Sequence, residues 1–173
     1  RLKELALHHQ QQVSEAMELL DEKVIPELSH LRPATGNADV HYYEGDDGIE
    51  LVLKDILSTV SEQEDPSYCI YSAKAIRKYL YRPFPNYTRQ RVKLGINVRV
   101  IAIGEGGEEA ALADRKWIDE ASSEHAGSYI AIYPPKMAMI SLSHGDLPTA
   151  VVINSPTIAN TQQTIFNTLW NSL

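Results

Sequence analysis

Apolar residues recur every three or four positions through residues 1–31. Leu2, Leu5, Val13, Ala16, Leu20, Val24, Leu28 and Leu31 form the stripe, with the polar His9 set into it. Such spacing puts them on one face of a helix. Pro26 removes a backbone donor and predicts a kink or restart. A stripe this long, with nothing compact before it to pack against, reads as a dimer seam carried by Leu5, Val13, Ala16, Leu20 and Val24. The plainer alternative is a helix lying on its own domain. Residues 1–32 are therefore assigned to a linker and dimerisation helix, and 38–173 to an α/β domain.

Beyond the breakers Pro33 and Gly36 the period changes. Val40 to Glu44 alternates and predicts a strand. Ile49, Val52, Leu53, Ile56 and Leu57 return to helical spacing, with Asp46 as the expected N-cap. Ser67 to Ser72 reads as a second strand. "KAIRKYLYRPFPNYTRQRVKLG" reads as two helical pieces split by Pro83 and Pro85, the second capped by Gly95. "INVRVIAI" is a strand whose apolar run suggests a central place in the sheet. "GEGGEEAALADRKWIDEASSEHAGS" reads as a long polar loop. "YIAIYPPKMAMISL" predicts a hairpin turning at Pro134–Lys136, and "TAVVINSP" a last strand. The closing helix starts at Ser155 as N-cap with Pro156 at N1, and Trp170 is read as its anchor in the core. Strands alternating with helices imply an α/β fold, a mixed sheet flanked by helices.

Composition narrows the functions open to this fold. The 173 residues carry a net charge of −7, so the surface on average repels phosphate backbones. The single cysteine, Cys69, lies in the apolar run "SYCIYSA" and reads as a small buried hydrophobe. No cofactor is implied. Adjacent His8 and His9 point about 100° apart on a helix and make a poor metal pair. No apolar run is long enough to span a membrane, and a cytoplasmic protein is expected.

Two stretches invite a chemical reading. Arg89, Arg91 and Lys93 precede a strand, but only Arg89 and Lys93 share a helix face, and Lys93 suits the negative end of that helix. The glycines from Gly104 follow a strand as a phosphate loop would, yet Glu105, Glu108 and Glu109 interrupt them and no Lys-Ser/Thr follows. "SLSHGDLP" holds Ser143, His144 and Asp146 but reads more simply as a turn.

"VHYYEGDDGIELVLKDIL", "NYTRQRVKLGINVRVIAI", "IYPPKMAMISL" and "VVINSPTIANTQQTIFNTLW", taken in this order, resemble the effector-side domain of the TrmB family of transcriptional regulators. The strongest signals are Glu44-Gly45 leading into a helix, Arg91 to Gly95 before a strand, and Phe166 to Trp170 in the closing helix. The resemblance implies a homodimer that senses a small-molecule effector such as a sugar. It implies contact with DNA only through an N-terminal winged-helix domain outside this chain. It also implies a phospholipase D-like architecture without catalysis. That chemistry needs a His-x-Lys pair and a later Asp. Here His125 fits the histidine, Gly127 replaces the lysine, and Ile132 stands where the aspartate would fall. A phosphodiesterase of that fold and a pure dimerisation module are the alternatives.

Nine tyrosines against two phenylalanines make a polar-tipped aromatic set. Such rings suit stacking on a polar ligand, or helix–sheet packing with hydroxyls at the surface. A ligand in a mixed sheet sits beyond the carboxyl ends of parallel strands. Tyr43, Glu44, Ser72 and Gly104 mark that edge, and Arg91 is placed to reach it. These five are the candidate ligand contacts.

Overall fold

A computed structural model describes residues 2–24, 39–104, 110–118, 127–143 and 146–173. The chain divides into two units, Arg1–Asn37 and Ala38–Leu173. In the first, helix α1 (Leu2–Leu19) continues into a wider helical turn over Leu20–Val24. Val13, Met17, Leu19 and Leu20 are exposed along it. Residues 25–31, where the sequence continues the helix past Pro26, lie outside the described residues, as do the side chains of Leu5 and Val24.

The second unit is a seven-stranded mixed sheet flanked by helices. In chain order it comprises β1 (Asp39–Glu44), α2 (Gly45–Ser61), β2 (Ser67–Ala73), α3 (Arg77–Tyr81), α4 (Tyr87–Lys93), β3 (Asn97–Ile103), β4 (Ala113–Ile118), β5 (Ser128–Tyr133), β6 (Lys136–Leu142), β7 (Pro148–Asn154) and α5 (Pro156–Ser172). The strands lie in the order β1-β7-β6-β5-β2-β3-β4. Strands β2, β3 and β4 run parallel, and the other pairings are antiparallel.

The predicted stripe of α2 is the core stripe. Ile49, Val52, Leu53, Ile56, Leu57 and Val60 are all buried against one sheet face, with Tyr68, Ile70, Val98, Val100 and Tyr129. On the other face α5 drives Phe166 into Cys69, Ile101 and Ile132. Both faces of β2 and β3 are thus covered, which is why their sequences run almost continuously apolar. Cys69 is buried as expected.

Local signals explain the helix ends. Gly45 has φ 72°, so the sharp passage from β1 into α2 favours glycine. A Cβ on Gly48 would meet the Tyr43 Cβ at 3.1 Å, so this glycine lets α2 close onto β1. Gly95 ends α4 at φ 70°; its N–H donates to Val92 O at 3.0 Å and that of Ile96 to Arg91 O at 3.1 Å, the paired bonds of a glycine C-cap. Ser155 caps α5 by accepting from the Ile158 N–H, with Pro156 in the first turn.

Four expectations need correction. Asp46 is not the cap of α2: Glu44 holds that position without a side-chain bond, and Asp46 pairs with Arg82 Nε at 2.8 Å. Strand β3 is not central but second from an edge, because "ADRKWI" within the expected loop forms β4 beside it. An edge strand needs no continuous apolar run, and the charges of Asp114, Arg115 and Lys116 hid it. Trp170 is only partly buried; it stacks on the fully buried Phe166, ring centroids 5.7 Å apart. Several tyrosines hold their hydroxyls inside rather than at the surface, and they build the site described next.

Candidate functional site

The passage from β2 through α3 to α4 leaves space above the sheet. Pro83 and Pro85 separate the short helices α3 and α4, and residues of both line one space with residues of β2, β3 and β4. The result is a cavity of about 780 Å³. Leu53, Leu80, Ile70, Val98 and Val100 give it apolar walls, while Tyr68, Tyr87 and Tyr129 supply hydroxyls. Lys74, Arg77, Arg91 and Arg115 bring cationic side chains to the same lining. Among the described residues the lining holds no carboxylate, histidine or cysteine.

The tyrosines form one group. The Tyr68 and Tyr87 hydroxyls are buried and lie 2.9 Å apart. The Tyr129 hydroxyl is buried beside them and interacts with both neighbours. Burial lifts all three above the ordinary phenol pKa, Tyr87 and Tyr129 well above it. They therefore remain neutral donors throughout the physiological range.

Arg91 is not the rim residue its sequence position suggested. It is buried, and Nη1 donates to Ile96 O at 2.6 Å and to Leu112 O at 2.8 Å. Its Nη2 donates to Ala111 O at 2.7 Å. The guanidinium therefore ties the end of α4 to the turn before β4, where Leu112 sits at φ 55°. A branched residue in that left-handed region is strained, and the arginine holds it there. Arg115 enters from β4, opposite Val100. Burial and the neighbouring Arg77 charge pull its pKa below the usual value.

The five candidate contacts separate. Ser72 and Arg91 line the cavity. Tyr43 packs against the core under α2. Glu44 is exposed at the end of edge strand β1. It stands four strands away from β2, about 19 Å at ordinary strand spacing. Gly104 follows β3 at φ 79° and donates to Ile118 O. Sequence reasoning missed Arg77, Arg115 and Tyr129; it singled out Tyr68 and Tyr87 within a wider tyrosine set without showing that they meet. The signal available was the odd Arg115 in an otherwise ordinary edge strand, but only the parallel β3–β4 register aims it inward. His125 lies outside the described residues. Ile132 is fully buried in the α5-side cluster, away from the cavity. Among the described residues no group of three His, Cys, Asp or Glu is arranged to hold a metal, and no helix is long and apolar enough to cross a membrane.

No protein-family model and no curated protein matches the chain. Among solved structures, NucT from Helicobacter pylori superposes with a TM-score of 0.56 at 9% identity, over 79% of this chain and 98% of NucT. TrmBL2, an archaeal chromatin protein described as showing a novel mode of DNA binding, matches at 0.47 and 14% identity, over 98% of this chain and 67% of its own. Polyphosphate kinase from Porphyromonas gingivalis matches at 0.49 and 9% identity, over 78% of this chain and 26% of the kinase. At such identity the likeness to NucT is one of fold alone, a mixed sheet flanked by helices.

Proposed function

We propose that this chain is the effector-binding, non-catalytic part of a TrmB-like transcriptional regulator. It pairs with a second copy through residues 1–32, and a separate winged-helix domain reads the DNA. The observation that carries the reading is the cavity under α3 and α4, about 780 Å³ with apolar walls and convergent polar groups. That is the size and character of a small-molecule pocket. The sequence resemblance supplies the regulatory context, and the acidic chain supports a DNA-reading element placed elsewhere.

A phosphodiesterase reading has less behind it. Gly127 stands where a phosphate-holding lysine is needed, and Ile132 in the aspartate position is buried on the opposite side of the sheet. The cavity's described lining offers hydroxyls and cations but no base to activate a nucleophile.

An effector acts here by binding one arrangement of the dimer better than the other. The coupling needed is typically about 1–3 kcal/mol. The test is specific DNA binding by the full-length natural protein and by this chain, side by side, on the promoter of its own gene. Binding by the full-length protein alone, released by a compound that also stabilises this chain, is the expected result. Failure of both to bind specifically would overturn the regulator reading.

A further inference from the structure

We propose that the bare strip of the sheet beside α5, together with the outer side of α5, is an interface for a second copy of this chain. The inference is independent of the effector reading and separate from the pairing assigned to residues 1–32.

The two sides of the sheet are unequally covered. Ala138, Ile140, Ala150 and Val152 point into the α2-side core, so the alternating Met139, Val151 and Ile153 point to the other side. The register sets Tyr42 beside Val151 and Met139 in one row, and Val40 beside Ile153 in the next. Helix α5 packs on β5 and β6 and leaves this strip open: Val40 is 58% and Tyr42 63% exposed. The helix also turns apolar side chains toward the strip. Asn167 faces β3, accepting from Arg99 Nη2 at 2.8 Å. Ile165 stands two residues earlier, about 200° round the helix, and so points the opposite way, toward β6 and β7. Ile158 lies a further two turns back on the same side. Both isoleucines are exposed.

Charge selects the occupant. The chain is 23% charged and carries −7, so two copies repel over most of their surface. Yet α5, 17 residues, and β7, 7 residues, contain no Asp, Glu, Lys or Arg. Depletion of charge distinguishes the core of an interface from ordinary surface. The threonines of α5 agree. Thr161, Thr164 and Thr168 turn their hydroxyls back onto the carbonyls of Thr157, Asn160 and Thr164 at 2.9, 3.0 and 3.0 Å. Their donors are thereby satisfied within the helix. Glu44, next on this side of β1, is exposed at the rim. An acidic chain meets its own copy with least repulsion on such a surface, whereas a charged partner would find nothing there to select it.

Shape and size agree with charge. Helix α5 stands as a ridge about 10 Å high beside the bare strip. A two-fold axis between ridge and strip seats each copy's α5 on the strip of the other, the self-complementary arrangement of an isologous contact. The helix is about 25 Å long, and ridge and strip together are about 24 Å wide. The footprint is on the order of 600 Å² per copy, or about 1,200 Å² for the pair, at the lower limit for specific association. The contact is therefore weak and reversible.

The experiment is sedimentation of the purified chain carrying Leu20→Glu, which blocks pairing through residues 1–32, from low micromolar to submillimolar concentration. Reversible dimers are expected at the upper end. Ile165→Glu on the ridge and Tyr42→Glu on the strip should each raise the dissociation constant at least tenfold. Both positions are exposed, so the melting temperature should hold. Leu51→Glu, at a comparably exposed apolar position on α2, adds the same charge and should change nothing. Monomers at every concentration would overturn the interface, as would dimers that either folded variant leaves unweakened. Equal weakening by Leu51→Glu would reduce the effect to net charge and overturn it too. Dimers already present at low micromolar concentration and dissolved by Ile165→Glu would support this interface and sink the seam through residues 1–32.

Discussion

Arg91 shows how a residue that looks functional from its charge can be structural from its surroundings. Its basic neighbours Arg89 and Lys93 are exposed on α4, whereas Arg91 is buried and bonded to three backbone carbonyls. Arg91→Met should remove all three bonds, leaving Leu112 O with the Val98 N–H alone, and cost about 2–4 kcal/mol, read as a lower denaturant midpoint. Leu112, which it holds at φ 55°, should respond in the opposite sense. Leu112→Gly relieves the strain and should be neutral or stabilise by up to about 1 kcal/mol. A large loss there would mean that the side chain, not the turn, matters. Hydropathy could not separate Arg91 from its neighbours, because only the fold decides which side of α4 faces the sheet.

Among the elements, the helices at the two ends of the chain carry the clearest tests. Helix α5 is anchored by Phe166, fully buried against Cys69, Ile101 and Ile132. Trp170 lies outside it as a partly exposed layer, with the Lys116 Nζ and Arg99 guanidinium over its ring at 5.0 and 5.7 Å. Phe166→Ala should therefore cost about 3–5 kcal/mol, and Trp170→Ala distinctly less, in the same equilibrium unfolding series. The reverse order would place the core of this face elsewhere. Helix α1 presents Val13, Met17, Leu19 and Leu20 to solvent. An apolar face of this kind suits packing against a partner helix. If a second copy supplies it, Leu20→Glu puts like charges into the seam and gives monomers in light scattering. A dimer surviving that change would move the interface away from this stripe. Strand β4 was illegible in the sequence for an elementary reason. Its six residues include Asp114, Arg115 and Lys116, and an edge strand need bury only alternate positions.

For the molecule as a whole, the buried tyrosines set a pH limit. Burial raises Tyr68, Tyr87, Tyr129 and Tyr133 above the ordinary phenol pKa, Tyr133 further because Asp55 accepts its proton at 2.9 Å. A phenol with a raised folded pKa contributes stability that is complete below its unfolded value near 10. That contribution is lost as pH climbs toward the folded value. Each such tyrosine should remove about 1.4 kcal/mol per pH unit above about pH 10. Steep alkaline unfolding is expected, with the ultraviolet signal of these phenols appearing in step with loss of structure. Smooth ionisation of all nine tyrosines in a folded chain would contradict the buried trio. Below that limit the cavity keeps its neutral donors.

The sequence by itself determined the periodic elements. It marked the α2 stripe, the apolar β2 and β3, the Gly95 and Ser155 caps and the β5–β6 hairpin, because those signals are local and repeat every two or 3.6 residues. It also excluded an average surface suited to nucleic acid, because net charge is additive. Only the tertiary structure decided what the polar residues do. It took Arg91 inward as a clamp, set Glu44 apart from the cavity, and brought Tyr68, Tyr87 and Tyr129 together from β2, α4 and β5. It aimed Arg77 and Arg115 at one space from α3 and β4. The physical reason is that a site is a coincidence of side chains distant in sequence, and which of them meet depends on strand order and register rather than on local pattern.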